Sequence, residues 1–421
     1  MKCRRIVVET ILCLLLIIMP ILAFNIQYAR SEPRPWIVDD DGPADFHTIQ
    51  EAVNAAGSGD IILVCTGTYK LMSQIMIDKP LTLIGESKSS AIIDGTDTWS
   101  PTIRVTADNV TIKDLTLNAC KQNYWPNGVL AGILIDSSHC LVDSSIFSGD
   151  FGVFLSDASF NVIKNNVFFN CGWGVGSQGD SNFNFIGHNN ISLGAYGIGK
   201  QFGGQNNTVT KNIVTNCSYG IMVHFGLNDV IFQNELSECG TGIDLEYSDN
   251  ENVRGNMISY NEEGISIKTD RPVRNSVCLN NFVNNTEQMC FPYGSDLPMI
   301  SYGSYPSGGN YWSDYNGVDL YKGVFQNVTG SDGIGDVPHV INVNDTDKYP
   351  LMESYTQVIG DVNFDRKVDA EDISTFVSAF SSFPSSLEWN PYVDFNNDAI
   401  VDIYDAIILA NNLKESNLVG V

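Results

Sequence analysis

Positive charge is scarce in this 421-residue sequence: 23 Lys and Arg stand against 49 Asp and Glu, a formal net charge of −26. That sign repels nucleic acid and anionic membrane surfaces, and it disfavours polyanionic ligands unless cations bridge, so nucleic acid is set aside as a partner. Histidine (5) and proline (15) are also sparse. The apolar fraction of 43% excludes a disordered chain, and 37 glycines suit many short strands joined by turns. Long apolar runs are confined to Ile11 to Phe24, which follows Lys2, Arg4 and Arg5. This run is too short for a comfortable membrane span, and residues 1–30 read as a signal peptide or an uncleaved N-terminal anchor. The expected location is therefore secreted or cell surface, with membrane contact only through such an anchor. Eight of the ten cysteines lie beyond the leader, where disulfides can form. Seven N-x-S/T sequons are compatible with glycosylation, but Asn is so common here that they decide little.

A repeat fills the middle of the chain. AGILI, FGVFL, WGVGS, YGIGK, YGIMV, TGIDL and EGISI recur, and their glycines, Gly132, Gly152, Gly174, Gly197, Gly220, Gly242 and Gly264, are spaced by 20, 22, 23, 23, 22 and 22 residues. Two short strand-like runs per unit and no helical period require a solenoid of stacked β-coils. A second ladder, Asn166, Asn190, Asn212, Asn234, Asn256 and Asn281, fits amides at the coil corners. Upstream, Ile49, Ala52, Val53 and Ala56 fall at helical spacing and predict a short helix covering the first coil. Cys217 and Cys239 stand three residues before their glycines, so they are expected to stack, either as a disulfide or as a ladder of buried thiols.

The opening IVDDDGPADFHTIQEAVNAA, the segment DKPLTLIGE followed by IIDG, and the GI and NN repeats resemble the pectin-lyase-like right-handed parallel β-helix superfamily, and within it the NosD-like carbohydrate-binding and sugar-hydrolase repeats. The resemblance implies a mainly β fold, a parallel β-helix solenoid with an N-terminal capping helix over residues 34–305. It leaves function open, because that scaffold hosts lyases, hydrolases, esterases, epimerases and binding proteins. Residues 306–355, dense in Tyr, Trp, Gly and Asp, resemble a module that follows such repeats in archaeal surface proteins and read as a cover for the last coil. SDGIGD within it is a calcium-loop candidate.

Inward and outward side chains alternate along a strand. Positions one and three after each glycine, such as Ile221/Val223 and Ile243/Leu245, are the core, so positions two and four face outward. Coils about 4.8 Å apart bring His224, Asp244, Glu246 and Lys268 into one polar cluster. Two carboxylates about 5 to 9.5 Å apart could act as a glycosidase pair, and Lys268 as a lyase base. The bland alternative is a solvated charged face. The catalytic sets of pectinesterases and polygalacturonases are not found. A copper site, raised by the NosD resemblance, needs convergent ligands, whereas His139, His188 and His224 sit at offsets seven, fourteen and four, and His47 and His339 lie outside the coils.

At the C-terminus GDVNFDRKVDAED returns as VDFNNDAIVDIYD. Positions 1, 3, 5, 9 and 12 are Asp361, Asn363, Asp365, Asp369 and Asp372 in the first copy and Asp394, Asn396, Asp398, Asp402 and Asp405 in the second, with the carbonyls of Lys367 and Ile400 at position 7. Apolar residues at helical spacing follow each loop: Ile373, Phe376, Val377 and Phe380, then Ile403, Ala406, Ile407 and Ala410. The pattern resembles a dockerin over residues 358–421, a small α-helical EF-hand-like domain. The resemblance implies two Ca2+ ions and a cohesin partner on a scaffold or surface protein. The recognition positions fall on Ala370, Glu371, Ile403 and Tyr404. Arg366 and Ala399 occupy position 6, where Gly is usual, and a strained turn is expected there. A calcium-stabilised end cap without a partner is the alternative.

The leading reading is thus an exported protein that binds or presents polysaccharide through its β-helix and is attached through the tail. A lyase or hydrolase delivered by the same tail is the runner-up, and a non-catalytic structural or adhesion protein the third.

Overall fold

A computed structural model describes residues 35–121, 129–201, 203–293, 300–384, 386, 388–396 and 398–416; the signal peptide or anchor expected over residues 1–30 lies outside them. Short strands stack in parallel register into a right-handed solenoid of about 11 turns, with an 11-stranded sheet on one side, running from Trp36–Val38 to Ser276–Cys278. Two further strands per coil form the other walls, linked into one 19-stranded sheet. Four strands position the candidate site: β1 (Tyr196–Gln201), β2 (Tyr219–His224), β3 (Thr241–Glu246) and β4 (Glu263–Lys268). Ile198, Ile221, Ile243 and Ile265 stack in register and are buried, as the period-2 alternation requires.

The repeated glycines have a steric cause. A Cβ on Gly220 would lie 2.5 Å from the carbonyl oxygen of Gly242, and one on Gly242 would lie 2.6 Å from that of Gly264. Successive coils approach so closely at this position that only glycine fits.

The asparagine ladder is present, but it runs through Asn166, Asn189, Asn212, Asn234, Asn256, Asn280 and Asn310; Asn190 and Asn281 are not in it. Asn166 accepts from the backbone N–H of Ser145, and each later side-chain oxygen accepts the backbone N–H of the ladder Asn one coil earlier, as from Asn212 to Asn234 at 3.0 Å. The left-handed residue is the one before the Asn, for example Lys211 (φ 53°) or Gln233 (φ 54°). Asn190 is the exposed first residue of a strand and Asn281 bonds to the backbone of Tyr355, so a one-residue misplacement exchanged corner for strand. Asp347 closes the ladder by accepting from the Asn310 backbone N–H and Trp312 Nε1.

A second ladder, Asn161, Asn184, Asn207, Asp229, Glu251 and Asn275, has two carboxylates in amide positions. Burial, then Asp229, pushes the Glu251 carboxyl well above its ordinary range.

Helix α1 (Ile49–Ala55) caps the first coil and buries Ile49, Ala52 and Val53, with Thr48 accepting from Glu51 N at its N-terminus. At the far end Tyr311–Trp312 pairs with Asn281–Val283, and the Trp312 ring stacks on Phe282 at 4.3 Å. In SDGIGD the carboxylates of Asp332 and Asp336 accept backbone N–H groups from residues 320–323, stapling the module's loops.

The tail forms α2 (Ala370–Ala379) and α3 (Ile403–Ser416) around their own small core of Val362, Val368, Phe376, Ala379, Val393, Val401 and Leu409. Val377 and Ile407, expected on the packed faces, are half-exposed. The stripe in α3 instead follows Ala406, Leu409 and Leu413. The tail also rests on the 11-stranded sheet: Phe232 packs edge-on against Tyr392 at 4.7 Å, Arg254 lies over the Phe364 ring, and Lys164 Nζ donates to Asp398 O at 2.6 Å.

Candidate functional site

Register on β2, β3 and β4 aligns His224, Glu246 and Lys268 in one outward column, with Met222, Asp244 and Ser266 in the next. The predicted cluster forms. His224 Nε2 lies 3.2 Å from Asp244 Oδ2 and 3.3 Å from Glu246 Oε2, while Lys268 Nζ lies 2.8 Å from Asp244 Oδ1. The column at position two is nevertheless buried rather than solvated: Met222, Asp244 and Ser266 are each at most 3% exposed.

Burial alone would lower the Lys268 ammonium, but the hydrogen bond and charge of Asp244 outweigh it and hold the group above its ordinary value. A lysine held protonated is a poor base near neutrality. The facing Asp244 and Glu246 oxygens lie within 4.8 Å, short of the spacing of about 5 to 9.5 Å expected of a glycosidase pair. Both oxygens of Asp244 are also engaged. Charge recognition is therefore better provided for than proton transfer.

Beside this cluster runs a groove of about 780 Å3, bordered by Asn216, Tyr219, Glu238, Thr241, Glu263 and Lys268. An outward aromatic stack leads into it. Phe151, Trp173, Tyr196 and Tyr219 follow one another one residue before the glycines, at centroid separations of 5.7, 4.2 and 5.3 Å. The stack ends at Tyr219, because the next coil offers the small Thr241, and Lys268 Nζ sits 5.5 Å from the Tyr219 ring centre. Sequence reading passed over this column, although the residue before each glycine spells it out. The other histidines do not join His224: His188 is half-buried against the tail-bearing sheet, its pKa pushed down to about 4 by burial and then by Lys211 and Lys164, and His339 stacks on Trp312.

Cys217 and Cys239 are both buried free thiols on adjacent coils. Burial is the main cause that pushes the Cys171 thiol, also on this wall, up to about 12.

In the tail the two loops share one internal bonding plan. Asp361 accepts from the backbone N–H groups of Asp365 and Arg366, and Asp394 from that of Ala399. Asp372 accepts from Val362, Asn363 and Asp369, and Asp405 from Phe395, Asn396 and Asp402. Asn363 and Asn396 accept from Asp365 and Asp398, which accept from Lys367 and Ile400. Asp369 and Asp402 cap their helices through Glu371 and Tyr404. Arg366 (φ 67°) and Ala399 (φ 68°) take the left-handed conformation for which glycine is usual. Burial raises Asp361 and Asp394 to about 6, and Asp394 Oδ1 is a buried carboxylate oxygen without a hydrogen-bond partner among the described residues. An all-oxygen donor set with such an oxygen fits a hard cation of the calcium kind. Ala370, Glu371 and Tyr404 are exposed and Ile403 half-exposed.

Two family comparisons match the chain. Residues 38–244 match rhamnogalacturonase A/epimerase, pectate lyase-like, and residues 201–317 match NosD, described as a periplasmic copper-binding protein. The first falls within the solenoid, and the second runs from it into the start of the covering module. Among solved structures the chain is similar to an alginate lyase from Paenibacillus sp. str. FPU-7 (17% identity, TM-score 0.47, covering 60% of this chain and 96% of that one). It is also similar to XylC in complex with xylose (11%, 0.50, 64% and 72%) and to the enzymatically active domain of tailspike protein 2 of bacteriophage CBA120 (12%, 0.50, 68% and 50%). At these identities the likeness is one of fold. No curated protein matches the sequence.

Proposed function

We propose that the β-helix binds a polysaccharide along β2, β3 and β4, as a binding module more than as a catalyst. The groove beside the Tyr219 ring and the Lys268 ammonium carries this reading. An aromatic edge, hydroxyl-bearing Thr241, the Asn216 amide and glutamate acceptors suit a hydroxyl-rich chain. Three glutamates, Glu238, Glu262 and Glu263, line it against one lysine, which favours an uncharged polymer over a uronate chain in a protein of charge −26.

A lyase or hydrolase built on Asp244, Glu246 and His224 is the second reading, favoured by the clustering of these groups on an outward wall. The fit of the tail loops to hard cations supports two Ca2+ ions, bound through Asp361, Asn363, Asp365, Asp369 and Asp372 and through Asp394, Asn396, Asp398, Asp402 and Asp405. With those ions the tail acts as a dockerin, presenting Ala370, Glu371, Ile403 and Tyr404 to a cohesin, and the protein works outside the cell. The test of the central reading is retention of the chain on immobilised neutral polysaccharides, wild type against Tyr219→Ala and Lys268→Ala. Loss of retention in folded variants supports it, and equal retention by all three removes it.

A further inference from the structure

We propose that His224, Asp244 and Glu246 form a binding site for a divalent ion of the zinc class on the outward face of β2 and β3. Register on two adjacent strands brings the three donors together without any loop, and their ligand atoms lie within 4.8 Å of one another. Nitrogen and oxygen ligands around a tetrahedral ion at about 2.1 Å stand about 3.4 Å apart. His224 Nε2 already stands 3.2 Å from Asp244 Oδ2 and 3.3 Å from Glu246 Oε2, and all three ligand atoms lie within 4.8 Å of one another, so an ion needs a slight widening about the imidazole and at most a modest approach of the two carboxylates.

The surroundings support the same assignment. Lys268 holds Asp244 Oδ1, which leaves Oδ2 turned toward His224, as an outer partner orients a metal-binding carboxylate. Two carboxylates and one ammonium leave the cluster negative when the imidazole is neutral, and the Asp244 side chain is only 2% exposed, so a cation would offset an interior charge. His224 and Glu246 keep 23% and 24% exposure, enough for water to complete the coordination. One imidazole nitrogen with two carboxylates selects a borderline ion, whereas calcium and magnesium favour oxygen alone. The site does not rest on the polysaccharide reading. The competing arrangement is an imidazolium bridging two carboxylates, with no ion.

The experiment uses the full chain with excess Ca2+ to fill the oxygen-only loops, titrated calorimetrically with Zn2+ and, separately, with Co2+ followed by visible absorption. One zinc per chain that calcium does not displace is expected, weakened at least about tenfold in His224→Gln and in Glu246→Gln. Cobalt should give visible bands of a low-coordinate site that both variants lose. Circular dichroism checks folding, and if one variant fails to fold the other carries the comparison. Absence of a calcium-resistant zinc site, or equal affinity in both folded variants, overturns the proposal. Sugar retention is read on the same variants: zinc lost with retention kept leaves the metal site standing and separates it from the binding reading.

Discussion

Lys200 Nζ lies 2.6 Å from Asp229 Oδ2 inside the solenoid, with side-chain exposures of 8% and 2%. One cation thus faces two carboxylates, because Glu251 follows Asp229 in the ladder and its Oε2 accepts from Asp229 N at 3.0 Å. Removing the cation while leaving the Asp229 carboxylate buried is costly: Lys200→Met should destabilise the fold by about 3 to 5 kcal/mol. Denaturant unfolding measures this directly, and a change within about 0.5 kcal/mol would mean that the interior charges are solvated.

Glu251 sets a pH dependence. Its folded-state pKa is raised, by burial first and the Asp229 charge second, so the folded protein holds a proton that the unfolded chain releases. Its contribution to stability is therefore fully present below the ordinary glutamate range and is lost as pH rises through the raised value. Glu251→Gln, which keeps an acceptor for Asp229 N, should flatten that decline and raise the unfolding temperature at neutral pH. Melting curves from pH 4 to 8 check both signs.

Asn234 belongs to a ladder in which every member serves two coils. It accepts from Asn212 N and donates to Val209 O at 2.9 Å. Asn234→Ala leaves a buried N–H without an acceptor and should cost about 1 to 3 kcal/mol, whereas exposed Asn190→Ala should cost little. Similar losses at the two positions would contradict the revised register.

Chelation should lower the melting temperature of the full chain and calcium should restore it, with two ions bound per chain by calorimetry. Asp394→Ala should reduce the stoichiometry to one.

Position 6 of the second loop offers a stabilising change. Ala399 holds φ 68°, a conformation costing roughly 1 to 2 kcal/mol for a residue with a Cβ. Ala399→Gly should stabilise the tail by about 0.5 to 1 kcal/mol after the extra chain entropy of glycine, measured as a shift in its unfolding midpoint.

Much of this architecture was legible because a solenoid writes its geometry into its period. The glycine column gave the register, and register alone brought His224, Asp244, Glu246 and Lys268 together. The Asn ladder slipped at Asn190 and Asn281 because two consecutive asparagines occupy both corner and strand there, and periodicity of 22 to 25 cannot choose between them. Exposure of the outward column misled for a different reason: alternation tells which side Asp244 faces, not whether its neighbours overhang it. The seating of the tail on the 11-stranded sheet was out of reach, since Phe232 and Tyr392 meet across the full length of the covering module and no repeat relates them. Val377 and Ile407 satisfied the helical spacing, yet the small tail core had room for only one stripe per helix.

The most direct test of polysaccharide binding incubates the chain, with calcium, on a panel of neutral and acidic polysaccharides and records both retention and polymer length. Retention on a neutral polymer whose chains stay intact, lost in Lys268→Ala, is the predicted result. Shortened chains would make the cluster an active site instead, and neither retention nor shortening would contradict the reading of this wall as a carbohydrate surface.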